Sequence, residues 1–144
     1  MLAKPSLTLE RRLKAAPSQV FAAWTDPERI VRWFGPAETV AGSVRAQVEL
    51  RSGGRYQMNF ATEDGQRHQV GGTYREVVPD SRLVFTWAWH STPERESLIT
   101  VTIVPDGDGS LLTLHQEQFF DQAARDGHER GWTSTLAKLE RFLA

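Results

Sequence analysis

The sequence predicts an α+β fold: a curved antiparallel sheet of six or seven strands wrapped around a long C-terminal helix, with two short helices after the first strand. Three observations lead there. Apolar residues recur with a period of two from about residue 38 to 119, and with helical spacing on either side of that stretch. The order is strand, helices, strands, helix. Only the last segment is long enough to cover the apolar face of such a sheet, so the sheet must bend around it.

The opening LTLERRLKA (7–15) reads as a strand with Leu7, Leu9, Arg11 and Leu13 on one side. Ala16-Pro17 then starts a helix, since proline at the first helical position loses a donor that had no partner anyway. This helix, Pro17 to Trp24, gathers Val20, Phe21 and Trp24 on one face. Asp26-Pro27-Glu28 repeats the start signal with a capping aspartate, and the second helix runs to about Phe34 before Gly35-Pro36 stops it.

Val40 with Val44, and Val48 with Leu50, mark two short strands. After Gly53-Gly54, the segment RYQMNFAT places Tyr56, Met58 and Phe60 on one face. Asp64-Gly65 signals a hairpin, and Gly71-Gly72 inside the next strand, about 67–78, signals a bulge or sharp bend. Pro79-Asp80-Ser81 turns the chain into RLVFTWAW, with Leu83, Phe85, Trp87 and Trp89 on one face. Ile99, Val101 and Ile103 alternate in the following strand. A turn at 105–109 leads to the last strand, where Leu112, Leu114 and Gln116 share a side.

In the terminal helix, capped by Asp121, the residues His128, Trp132, Leu136, Leu139 and Leu143 form one stripe. Gly127 and Gly131 lie four apart. In a helix interior they point to close approach of another backbone or to a bend.

With 144 residues the chain has the length of one domain, and no repeat or linker divides it. There is no cysteine, which excludes disulfides, thiolate nucleophiles and zinc–thiolate sites. Seventeen basic and eighteen acidic residues, without a Lys/Arg stripe, argue against nucleic-acid binding. No apolar run reaches membrane-spanning length, so no membrane insertion is expected. The first six residues lack the apolar core of a secretory signal, which argues for the cytoplasm.

The four histidines, His68, His90, His115 and His128, fall on separate elements without metal-ligand spacing, and no metal or tightly held cofactor is expected. His115 points away from Leu112 and Leu114, toward solvent. No serine sits in a nucleophile elbow, and the glycines spell neither a P-loop nor a dinucleotide fingerprint. Glu76 shares strand parity with Tyr74 and should face inward. There it would be a titrating acid near a cavity, or else one half of an ion pair with Arg82 or Arg55.

Tyr56, Phe60, Tyr74, Phe85, Trp87 and Trp89 share one sheet face by period-two counting, and Met58 adds an adaptable side chain. Trp132 and Leu136 come from the facing helix, and Trp33 could close one end. These rings either fill the core or, where a bent sheet parts from a straight helix, line a cavity of roughly 300–1,000 Å³.

Three segments resemble the START-like (SRPBCC, helix-grip) superfamily, in the branch named for the activator of the heat-shock protein 90 ATPase. VFAAWTDPERIVRWFGP (20–36) is similar to its two-helix signature. GGRYQMNF (53–60) with GGTYREVVPDSRLVFTW (71–87) resembles its central strands, and HERGWTSTLAKLERFL (128–143) its terminal helix. Where that family commonly carries His and Gly in the last strand, this chain has Gln116 and Gln118.

The resemblance implies a helix-grip fold that holds a cavity. The expected function is non-catalytic binding of a hydrophobic or aromatic small molecule, lipid- or polyketide-like, with Glu76, Gln116, His128 and the tyrosine hydroxyls orienting it. Two alternatives accompany it: a co-chaperone-like module docking on a chaperone or other protein, and a cyclase- or hydrolase-like enzyme using Glu76 and His128. Exposed sheet edges also invite pairing with a second copy.

Overall fold

The computed structural model describes residues 4–144. Strand β1 (Leu7–Leu13) is followed by helices α1 (Pro17–Thr25) and α2 (Pro27–Ile30). Six strands come next: β2 (Arg45–Val48), β3 (Arg55–Ala61), β4 (Arg67–Val78), β5 (Arg82–Trp89), β6 (Ser97–Asp106) and β7 (Gly109–Glu117). Helix α3 (Gln122–Phe142) ends the chain. The strands form one antiparallel sheet in the order β1-β7-β6-β5-β4-β3-β2, so that the first strand returns to pair with the last.

The helix starts follow the sequence signals. Asp26 Oδ1 accepts from the Glu28 N–H at 3.0 Å, and Asp121 Oδ1 from the Ala124 N–H at 2.8 Å, each satisfying a donor that the helix leaves open. Other boundaries differ. The α-helical part of α2 ends at Ile30, and tighter turns carry the chain to Phe34 through bonds such as Trp33 N–H to Ile30 O. The stretch 38–44 is not a strand. It makes a single bridge, Thr39 to Thr62, and only Arg45–Val48 pairs regularly with β3.

Alternation buries Tyr56, Met58 and Phe60 of β3, Leu83, Phe85 and Trp87 of β5, and Ile99, Val101 and Ile103 of β6 against α1, α2 and α3. Parity fails once. A register shift between Tyr74 and Glu76 turns the end of β4 over, so Tyr74 is buried while Glu76 faces solvent. Glu76 Oε1 lies 3.2 Å from Arg82 Nε, which is the ion-pair outcome.

The glycine pair has its own effect. At Gly72 an added Cβ would sit 2.1 Å from the Thr86 carbonyl oxygen, and the Thr73 N–H bonds to the Thr86 hydroxyl rather than to backbone. The Tyr56 hydroxyl donates to that same Thr86 carbonyl. Gly72→Ala should therefore destabilise the fold by about 1–3 kcal/mol, read as a lower urea midpoint, because the obstacle is backbone and cannot rotate away.

After β7 the backbone turns through Gln118 at φ +67° before the Asp121 cap. This left-handed conformation explains the glycine that the resemblance places there. Gln118→Gly should raise the urea midpoint slightly, by up to about 1 kcal/mol, since relief of the left-handed penalty is partly offset by a more flexible unfolded chain.

Candidate functional site

The sheet and α3 part at one end around a cavity of about 740 Å³. Its inner wall is aromatic: Phe34 from the turn after α2, Phe60 from β3, Trp87 and Trp89 from β5, and Trp132 from α3. Helix α3 adds Ala124, Gly127, His128, Gly131 and Thr135, the residues that helical spacing brings to one side. The mouth is acidic, with Glu38 beside it and Glu63 and Asp64 from the β3–β4 hairpin. None of these three carboxylates has an ion-pair partner among the described residues.

The two glycines of α3 create much of this space. An added Cβ at Gly131 would meet nothing within 4 Å, and at Gly127 only Arg130 Nη2 at 3.8 Å. They open onto the cavity and receive no other backbone, so the first of the two outcomes suggested by their spacing does not hold.

The thirteen residues singled out from sequence divide into four groups. Phe60, Trp87, Trp89, His128 and Trp132 line the cavity. Trp33, Tyr56, Met58, Tyr74 and Phe85 lie deeper, around a separate void of about 20 Å³ that also touches Phe34, Trp87 and Trp132. These are core residues. Burial raises the hydroxyls of Tyr56 and Tyr74 above the ordinary phenol range, so both stay neutral. Gln116 and Leu136 are buried behind the wall. Gln116 positions rather than contacts: its Oε1 accepts from Trp132 Nε1–H at 2.8 Å, and its Nε2 donates to Ser97 Oγ at 2.9 Å. Glu76 lies outside altogether, on the Arg82 ion pair.

His128 is the polar centre of the inner wall. Its Nδ1 lies 2.7 Å from the Ala124 carbonyl and therefore carries the proton, leaving Nε2 as an acceptor. Two indoles address that nitrogen, Trp87 Nε1 at 3.2 Å and Trp89 Nε1 at 3.1 Å. Phe119 covers the ring at a centroid distance of 5.0 Å. Burial pushes the imidazole pKa below its ordinary value, against a smaller upward pull from the Ala124 carbonyl. The Glu76–His128 acid–base pair expected for an enzyme does not form, because the bulge in β4 sends Glu76 to the surface.

Phe34 and His68 line the cavity but are not among the residues singled out from sequence, and of the two His68 carries a strand signal. It pairs in register with Phe60, stacks on it at 5.0 Å, and shares inward parity with Val70. That alternation was the available signal. Thr62 gives its hydroxyl hydrogen to Asp64 Oδ1 at 2.6 Å, so His68 Nε2, 3.0 Å from the Thr62 oxygen, is the donor there. Hydrogen bonds from the Thr62 hydroxyl and the Gln66 N–H hold the Asp64 carboxyl below its usual range, and it stays ionised at the mouth. The segment beyond Phe34 is moored to α3 by Lys138 Nζ on the Gly35 carbonyl at 3.2 Å, and by the Ala37 N–H on Ser134 Oγ at 3.2 Å.

The family description "Activator of Hsp90 ATPase homolog 1-like protein" matches residues 14–144. The chain belongs to this family. Among solved structures of similar fold, a protein of Chromobacterium violaceum is 29% identical, with a TM-score of 0.82 and coverage of 96% of this chain and 97% of that one. The AHSA1 protein from Silicibacter pomeroyi is 30% identical, with a TM-score of 0.78 and coverage of 95% and 96%. CalU16 from Micromonospora echinospora is 27% identical at a TM-score of 0.68, with coverage of 96% and 76%. The human activator of 90 kDa heat shock protein ATPase homolog 1 is 27% identical over 90% of this chain, which spans only 42% of that protein. No helix among the described residues is long and apolar enough to cross a membrane.

The lowered pKa of His128 fixes the sign of a pH effect. The unfolded chain takes up a proton on this imidazole near pH 6.5, whereas the folded chain does so only at lower pH. Stability should therefore fall as pH drops below about 6.5, by no more than about 1.4 kcal/mol per pH unit, the limit for one proton. Urea midpoints measured from pH 7.5 to 5 should show this slope in the wild type and a shallower one in His128→Gln.

Proposed function

We propose that this protein binds a hydrophobic or aromatic small molecule between the sheet and α3, without transforming it. The observation that carries the reading is the cavity of about 740 Å³ walled by Phe34, Phe60, Trp87, Trp89 and Trp132. Its volume falls in the range of ligand pockets, about 300–1,000 Å³, and its polar groups are few and convergent, as such pockets require. Rings held in place by packing and by hydrogen bonds lose little freedom when a ligand arrives, which favours binding.

N-phenyl-1-naphthylamine, a neutral environment-sensitive dye, should bind the wild type and quench emission from Trp87, Trp89 and Trp132. Gly131→Leu should weaken that binding at least tenfold by filling the cavity. The same change should leave thermal stability unaltered or raise it by about 1 kcal/mol, since leucine is the better helix former. Equal dye affinity in the variant, or no dye binding by the wild type, would sink the reading.

The likeness to the human heat-shock protein activator supports a second reading, docking on a chaperone. Gly131→Leu separates the two, because it alters the cavity and leaves the outer surface unchanged. Chaperone capture by wild type and variant alike, with no dye binding by either, would favour docking.

A further inference from the structure

The inner end of the cavity holds more hydrogen-bond donors than acceptors. His128 Nε2 has one lone pair, in the ring plane, because Nδ1 carries the proton donated to the Ala124 carbonyl. Two indole N–H groups converge on that single pair, from Trp87 at 3.2 Å and Trp89 at 3.1 Å. Both distances are longer than the usual 2.9–3.0 Å, as expected when one acceptor is shared. Two nitrogens at nearly the same distance from Nε2 cannot both lie on its single lone-pair axis, so at least one N–H bonds off that axis.

No other side chain of the wall accepts from either indole. Phe34, Phe60 and Trp132 offer only rings or a committed donor, the Trp132 N–H being held by Gln116. The Thr135 hydroxyl gives its hydrogen to the Gly131 carbonyl at 2.7 Å and keeps its lone pairs, but both indole N–H groups bond to His128 and neither bonds to it. A donor left short of an acceptor in such a low-dielectric wall costs free energy that an incoming acceptor would recover.

We infer that the ligand is a flat apolar compound bearing a neutral carbonyl-type oxygen, which accepts a hydrogen bond from the Trp89 indole beside His128. Trp89 is the indole assigned because it is only partly buried, whereas Trp87 is 4% exposed. The oxygen is neutral because Glu38, Glu63 and Asp64 at the mouth repel an anion. The inference rests on the small-molecule reading above and adds the chemical class of the ligand.

Two planar isosteres test it: 2-acetylnaphthalene and 2-isopropenylnaphthalene, which exchange a carbonyl oxygen for a CH₂ group. Their affinity ratio is measured by fluorescence titration in the wild type, Trp89→Phe and Trp87→Phe. Either substitution removes one N–H and brings donors and acceptors to parity. The preference for the ketone should therefore fall about fivefold in each, and comparison within one cycle cancels the different hydration of the two compounds. In the wild type, the Trp89 indole N–H proton resonance should move further downfield on adding the ketone than on adding the alkene, since the naphthalene ring current is common to both.

An unchanged ratio in both variants overturns the inference while leaving the pocket reading intact. If one variant does not fold, the other together with the resonance shifts decides. Failure of both naphthalenes to bind the wild type overturns the inference and the reading beneath it.

Discussion

The position of α3 over the sheet depends on hydrogen bonds between indoles and two polar side chains. Trp132 reaches from the helix to Gln116 of β7, and Trp87 and Trp89 reach from β5 to His128 of the helix. An apolar contact has little directional preference, and a helix lying on an oily sheet can slide or roll at small cost. Tethers that pair each donor with one particular acceptor remove that freedom, because a displaced helix would leave buried polar atoms unmet at about 1–3 kcal/mol apiece. Their length also matters. Indole and imidazole rings stand between helix and sheet, so the backbones at this end stay far enough apart for a cavity to exist.

The same tethers divide the aromatic set. Phe34, Trp87 and Trp132 touch both the cavity and the small inner void, and so form a partition between a pocket and a packed interior. On the inner side, Tyr56 and Tyr74 each meet Phe85 edge to face, at 5.3 and 6.0 Å, and meet each other at a tilt at 5.5 Å, as in an ordinary core. On the outer side, the rings meet space. One sheet face thus serves two purposes along its length, and which one a residue serves depends on how far α3 stands off above it.

That explains what was legible in the sequence. Period-two and helical spacing locate every element that buries a regular face, and the caps at Asp26 and Asp121 follow from local chemistry alone. Strand parity places Phe60, Trp87 and Trp89 inward, and the helix stripe finds His128 and Trp132. Parity cannot separate lining from core, since Tyr56 and Phe60 are equivalent by that measure yet lie on opposite sides of the partition. It also fails after a bulge, as at Glu76, because one extra residue reverses every later side chain and leaves no local signature. His68 shows the opposite case: its alternation with Val70 was readable, but a single histidine without ligand spacing drew no functional weight. Gln116 falls on the inward side that alternation predicts, and only the structure reveals that its amide bonds to Trp132 and Ser97 behind the wall.

Gly127 and Gly131 carry a further consequence. Where the helix stands off the sheet, the capacity of the chamber is set in part from the helix side, by missing side-chain atoms. Alanine, valine or leucine at either position would shrink the chamber stepwise while adding helical preference, so guest size and thermal robustness pull in opposite directions at the same two sites. A scaffold built this way can be retuned toward smaller guests by single substitutions, with no strand, turn or tether disturbed.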